Sequence, residues 1–312
     1  MILRMVAVIL LWLTAAGLAS GAERPVAGTL NSIGSETLAG LMLRWGEQLE
    51  DRHPGVRLQL QASGSATAPP ALAAGTTRLG PMSRPMSEAE RHDFTVRQGH
   101  APTRIPVAMD ALAVFVHRHN PLEALSLAQV DAIFSDTRRC GATAPLERWD
   151  TLGGRAEPIV RHSRNSASGT YGIFKRIALC GGDFRLDVNE YPGSSAVVAA
   201  VAQSPGGIGY AGMGYLTSSV RAVALRDGEG RAVAPSIEAT LSGAYPLSRT
   251  LYLYVNLPPG ERLPQPEAAF IDLVLSPAGQ ETVRELGFVP LPDEMIAASR
   301  ESLALEPLPP PP

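Results

Sequence analysis

Three stretches of this chain repeat one plan: a run that suits a strand, a short loop of serine, glycine and threonine, then an apolar period that suits a helix. Val26 to Leu30 leads to Ser35-Glu36-Thr37, after which Leu38, Leu41, Met42, Trp45 and Leu49 recur at helical spacing. Val56, Leu58 and Leu60 then alternate before Ala62-Ser63-Gly64-Ser65-Ala66-Thr67, where Pro69 and Pro70 suit the first turn of a helix that Gly75 ends. The third unit runs from Arg161 through Arg164-Asn165-Ser166-Ala167-Ser168-Gly169-Thr170.

The first turn of a helix leaves backbone N–H groups unpaired and carries a partial positive charge, so an anion is stabilised there. Ser168 and Thr170 add hydroxyl donors, Gly169 lets the backbone approach closely, and Arg164 supplies a charged fork that matches two oxygens of a tetrahedral anion. Taken singly, each serine or threonine is equally an ordinary N-cap. Three such starts, each with more small hydroxyl residues than a cap needs, point to convergence on one anion.

Arg4, the apolar run Met5 to Leu13 and the small residues Ala19-Ser20-Gly21-Ala22 are the pattern of a cleavable secretory leader over 1–22. The expected address is the periplasm, with no lipid anchor because no cysteine follows the apolar run. About 290 residues remain, enough for two lobes with separate cores. A net charge of −3 gives no basic field for nucleic acid, and 18% charged residues is low for a disordered chain. Cys140 and Cys180 are the only cysteines, and an oxidising compartment favours a disulfide between them. Ile105 to Val116 is apolar except for Asp110, and Leu251 to Val255 follows Tyr245-Pro246-Leu247-Ser248-Arg249; both are candidates to cross between lobes. Ala268 to Leu275 and Glu281 to Leu286 suit short helices, and a Pro-rich tail is expected over 301–312.

In this order, several motifs carry a resemblance: Gly34-Ser35-Glu36-Thr37, Ser63-Gly64-Ser65, Met82-Ser83-Arg84-Pro85-Met86-Ser87-Glu88, Val107 to Val114, Asn120-Pro121, Leu127 to Phe134, Arg164 to Thr170 and Tyr245 to Val255. The chain resembles the periplasmic phosphate-binding proteins of ABC-type uptake systems, the PstS-like family. The resemblance implies an α/β type II periplasmic-binding-protein fold: 23–111 with 249–300 as one lobe, 112–248 as the other, two crossover strands and a hinged cleft. It implies a monomer without cofactor or metal that captures inorganic phosphate for a membrane permease and catalyses nothing. By position, Ser35, Glu36 and Thr37 form a first phosphate loop, Ser63 and Ser65 a second, Arg164, Ser168, Gly169 and Thr170 a third, with Arg84 at the edge facing the cleft.

Three departures matter. Ala66-Thr67-Ala68-Pro69-Pro70 stands where the family loop is richer in glycine, and Arg84 and Ser166 stand where the best-known branch has acidic residues. A protonated phosphate must donate its hydrogen, so an acceptor is needed. Glu36 is one candidate, its other role being a first-turn acid that complements the helix dipole. Asp110, the second, better suits a hinge or helix-end partner, because a buried carboxylate needs one. Arg84 either bonds the anion or forms a salt bridge across the cleft.

Gly207-Ile208-Gly209-Tyr210-Ala211-Gly212 has the letters of a dinucleotide motif but follows the helical stretch Ala196 to Ala202 and a Pro205-Gly206 turn, which argues for a buried strand. His117 and His119 are two ligands without a third, which makes a poor metal site. Ser168 with His162 lacks an orienting group for nucleophilic catalysis. The alternatives are a binder of sulfate, molybdate or another oxyanion, and a phosphate-sensing or surface protein outside transport.

Overall fold

The computed structural model describes residues 25–306. The expected leader, 1–22, lies outside them, as does Pro307 to Pro312. The chain begins with β1 (Ala27–Ile33), a 3-10 turn (Glu36–Leu38) and α1 (Ala39–Arg52). It continues through β2 (Gly55–Gln61), a second 3-10 turn (Ser65–Thr67), α2 (Ala68–Ala73), β3 (Gly80–Met82), α3 (Glu88–Gln98) and β4 (Thr103–His117). Next come α4 (Leu127–Phe134), β5 (Val160–Arg164), α5 (Gly169–Ile177), β6 (Asn189–Tyr191), α6 (Ser194–Gln203), β7 (Gly207–Gly212) and β8 (Val220–Ala222). The last elements are β9 (Ser248–Val255), α7 (Gln265–Val274), α8 (Pro277–Glu285) and α9 (Asp293–Ser302).

Each strand–loop–helix unit forms because its apolar face finds a core. Leu41, Met42, Trp45 and Leu49 of α1 are buried, each stabilising the fold by about 1.5–3 kcal/mol relative to exposure. They join a first core drawn from Leu30 to Ala108 and from Leu251 to Leu303. A second core is built entirely from residues between Ala111 and Leu247.

β4 joins the two. Its first part pairs antiparallel with β9 from Thr103 to Ala111, and its second part pairs antiparallel with β7 from Leu112 to Val116. The sheet runs β3-β9-β4-β7-β5-β6, with β8 also against β4, while β1 and β2 form a separate parallel pair. Asp110 and Arg249 are register partners at the passage from one core to the other.

The letters Gly207 to Gly212 form β7, buried at all six positions and followed by a 3-10 turn rather than an α-helix, so the dinucleotide pattern has no helix to open. Cys140 and Cys180 are disulfide-bonded with Cα atoms 5.4 Å apart. At the other end, α9 runs through Glu301 and Ser302, and Leu303 lies in the first core. Those residues were expected in the tail; Leu303 is buried in that core, while Glu301 and Ser302 are exposed on the last turn of the helix. Among the described residues, no helix is long and apolar enough to cross a membrane.

Candidate functional site

The loops after β1, β2 and β5 meet, because each leaves the carboxyl end of its strand toward the same space. From the first core come Ser35, Thr37, Ser65 and Ser83, all buried; from the second come Arg164, Ser168, Gly169 and Thr170, also buried. Thr37 Oγ1 and Thr170 Oγ1 are 3.0 Å apart although 133 residues separate them, and Ala66 N donates to Ala167 O at 3.1 Å. A Cβ on Gly169 would lie 2.3 Å from Ser65 Oγ and 2.6 Å from Ser83 Oγ. A Cβ on Gly64, whose φ is +114°, would lie 2.5 Å from Ala167 O. Glycine is required at both positions for the loops to approach this closely.

The N-cap role and the cradle role divide among the serines. Ser168 Oγ accepts from Thr170 N at 3.1 Å and so caps α5. Ser35 makes no side-chain cap bond, which leaves its hydroxyl for other partners. Ser65 Oγ accepts from Ser83 N at 3.0 Å and lies 3.3 Å from Ser83 Oγ.

Two buried arginines belong to this region, Arg249 against Thr170 and Arg164 against Glu36 of the first loop. Arg164, 1% exposed, donates from Nη1 to Ser194 Oγ at 2.8 Å and from Nη2 to Pro192 O at 2.8 Å. Its Nη1 also lies 2.7 Å from Glu36 Oε2. Arg164 Nε is buried with no hydrogen-bond partner, a donor whose desolvation is uncompensated within the protein. Burial pushes this guanidinium below the ordinary arginine value, and Glu36 opposes the shift.

Arg249 donates from Nε and Nη2 to Asp110 Oδ2 at 3.0 and 2.6 Å, and from Nη1 to Thr170 Oγ1 at 2.9 Å. Asp110 Oδ1 accepts from Met213 N at 3.2 Å, at the start of a 3-10 turn. Asp110 is thus a helix-end partner, as expected of it, and also the counter-charge of Arg249. Burial pushes its carboxyl up while Arg249 pulls it down.

Two expected site residues stand apart. Ser63 is exposed, two positions from Ser65, and its Oγ accepts from Gln61 Nε2 at 3.3 Å. Arg84 is held by Glu90 through two bonds of 2.7 Å, so its fork faces α3. The ion pair it makes lies within its own lobe and not across the cleft. Ser166 is exposed outside the site. Ser83, Arg249 and Ser194 were not singled out as site residues, and the one local signal was a basic residue opening an apolar strand at Arg249.

The catalytic alternative is not assembled. Ser168 Oγ caps a helix, and His162 Nδ1 pairs with Tyr191 OH at 3.1 Å. The His117 and His119 rings pack 5.2 Å apart, and His117 Nδ1 accepts from His119 N. What the centre offers is hydroxyls, one unpartnered guanidinium N–H and helix-start amides, a donor set for an oxyanion.

A family model described as the PBP superfamily domain matches residues 19–278. The Pseudomonas aeruginosa protein named phosphate-binding protein PstS is 50% identical over 285 residues, covering 90% of this chain and 88% of that one. Among solved structures, a candidate phosphate ABC transporter substrate-binding protein with bound phosphate from Clostridium perfringens matches with a TM-score of 0.73 at 24% identity, covering 85% of this chain and 100% of that one. An ABC-type phosphate transport receptor from Vibrio cholerae matches with a TM-score of 0.67 at 20% identity, over 85% of this chain and 100% of that one. At those identities the two structures speak for the fold.

Proposed function

The chain belongs to the PBP superfamily, in the branch of the PstS phosphate-binding proteins, and from that membership we propose that it captures inorganic phosphate between its lobes. The fold is the type II periplasmic-binding-protein fold, two α/β lobes joined by crossover strands. The family is one of extracytoplasmic substrate-binding proteins of ABC transport, not of enzymes. The units that close are 23–111 with 249–300 and 112–248.

Two observations carry the ligand assignment together: Arg164 Nε is a buried donor with no partner, and the hydroxyls of Thr37 and Thr170 meet from the two lobes. The anion is held by Arg164 Nε, by the hydroxyls of Ser35, Thr37, Ser65 and Thr170, and by the start of α5 at Ser168 and Gly169. Ser83 and Arg249 support that set, whereas Ser63 and Arg84 stand outside it. The hydroxyls of Thr37, Ser65 and Ser83 can accept as well as donate, which suits a phosphate that still carries a proton. Closure excludes water and strengthens each charged hydrogen bond.

The leader is removed near Ala22, and the protein works as a periplasmic monomer that hands phosphate to a membrane permease. Calorimetric titration of the purified protein with phosphate and with sulfate tests the assignment. Stoichiometric binding of phosphate with weaker binding of sulfate is expected; equal or preferred binding of sulfate would move the assignment to another oxyanion.

A further inference from the structure

Building on the phosphate reading, we propose that Glu36 is a positioning residue that closes the lobes. Its carboxylate caps α6 from across the cleft and fixes the edge of Arg164 that faces the anion, and it does not receive the ligand's proton.

α6 begins at Ser194 after Gly193 and has no side-chain cap of its own. Helices of this length leave their first N–H groups without intrahelical partners. Glu36 supplies the missing acceptor from the other lobe: Ser194 N donates to Oε1 at 3.2 Å and Oε2 at 3.3 Å, and Ser194 Oγ donates to Oε2 at 3.2 Å. A carboxylate also complements the positive end of the helix dipole. Arg164 Nη1 completes the arrangement, 2.7 Å from Oε2 and 2.8 Å from Ser194 Oγ.

Three further observations agree. A Cβ on Gly193 would lie 3.1 Å from Glu36 Oε1, so a side chain at position 193 would crowd the carboxylate at the helix start. Tyr215 OH donates to Glu36 O and Thr37 O at 3.3 and 3.0 Å, a second clasp on the same loop. With Nη1 and Nη2 of Arg164 held by Glu36, Ser194 and Pro192, Nε is the atom left for a ligand. A carboxylate already accepting three donors is poorly placed to take a proton from the anion, a role the neighbouring hydroxyls can fill.

The test compares wild type, Glu36→Gln and Gly193→Ala by calorimetry and stopped-flow with phosphate and sulfate, after thermal melts establish folding. Gly193 has φ −133°, which alanine also adopts, so that variant crowds the carboxylate without removing it. For Glu36→Gln, affinity for both anions should fall about tenfold, through faster dissociation, with the phosphate-to-sulfate ratio unchanged. Gly193→Ala should give the same pattern more weakly. A collapse of the ratio in Glu36→Gln would make Glu36 the proton acceptor and overturn the proposal, as would unchanged dissociation rates in both variants. Were wild type to bind neither anion, the phosphate reading would fail and the latch would rest on small-angle scattering: a Glu36→Gln protein no larger in radius of gyration than wild type overturns it.

Discussion

Asp110 and Arg249 face each other across β4 and β9 as a buried ion pair, with side chains 0% and 2% exposed, where the chain passes between its cores. The pair links stability to the site, because the same guanidinium donates to Thr170 Oγ1. Asp110→Ala leaves Arg249 buried without its counter-charge and should destabilise the protein by about 3–5 kcal/mol. Asp110→Leu with Arg249→Met should recover most of that loss while phosphate binding stays weak. Urea denaturation and calorimetry on the same samples separate the two effects.

Arg164→Ala removes the unpartnered donor and takes from Glu36 its counter-charge, leaving it the two donors of Ser194. Phosphate affinity should fall about 100-fold, the scale of truncating one member of a buried hydrogen-bonded charge pair. Unchanged affinity by calorimetry would remove Arg164 from the ligand set.

Gly169→Ala places a Cβ 2.3 Å from Ser65 Oγ at the first residue of α5. Alanine suits a helix better than glycine, so the melting temperature without ligand should not drop. Phosphate affinity should fall at least about tenfold, because the steric conflict arises only when the lobes meet.

The disulfide ties the segment after α4 to the end of α5, closing a separation of 40 residues. Cys140→Ser with Cys180→Ser should cost about 2–4 kcal/mol in guanidinium denaturation, in line with the loop closed. The loss should also loosen the helix whose start carries Ser168 to Thr170, so phosphate affinity should decline modestly.

Burial holds the His162 imidazole below the ordinary histidine value. As pH falls below about 6.5 the unfolded chain takes up a proton that the native chain refuses, so native stability declines toward acid. His162→Gln removes this titration, and its urea midpoint should vary less than that of wild type between about pH 7 and pH 5.

The helix starts were legible because a hydroxyl-rich loop and a helical period both lie within about ten residues of sequence. Arg249 was not, since its meaning depends on standing opposite a carboxylate 139 residues earlier. Ser63 and Ser65 show the limit within one loop: the same residue type two positions apart, one in solvent and one in the site. The partner of Arg84 has a local cause. Glu90, the third residue of α3, both completes the capping box of Ser87 and captures the guanidinium. Burial alone would raise the Glu90 carboxyl, but the bonds and charge of Arg84 with the Ser87 cap hold it below its usual value. The reach of Glu36 to Ser194, across 158 residues, needed the fold itself.

That β4 serves both cores also sets an order of assembly. The second core needs only residues from Ala111 to Leu247, an unbroken stretch that can condense on its own contacts. The first core must wait for Leu251 and all that follows, because its chain is supplied in two instalments. Long-range closures of this kind come late, after nearer contacts have shortened the chain between them. A chain that emerges amino end first therefore holds the start of its first lobe open until the segment from Leu251 onward arrives.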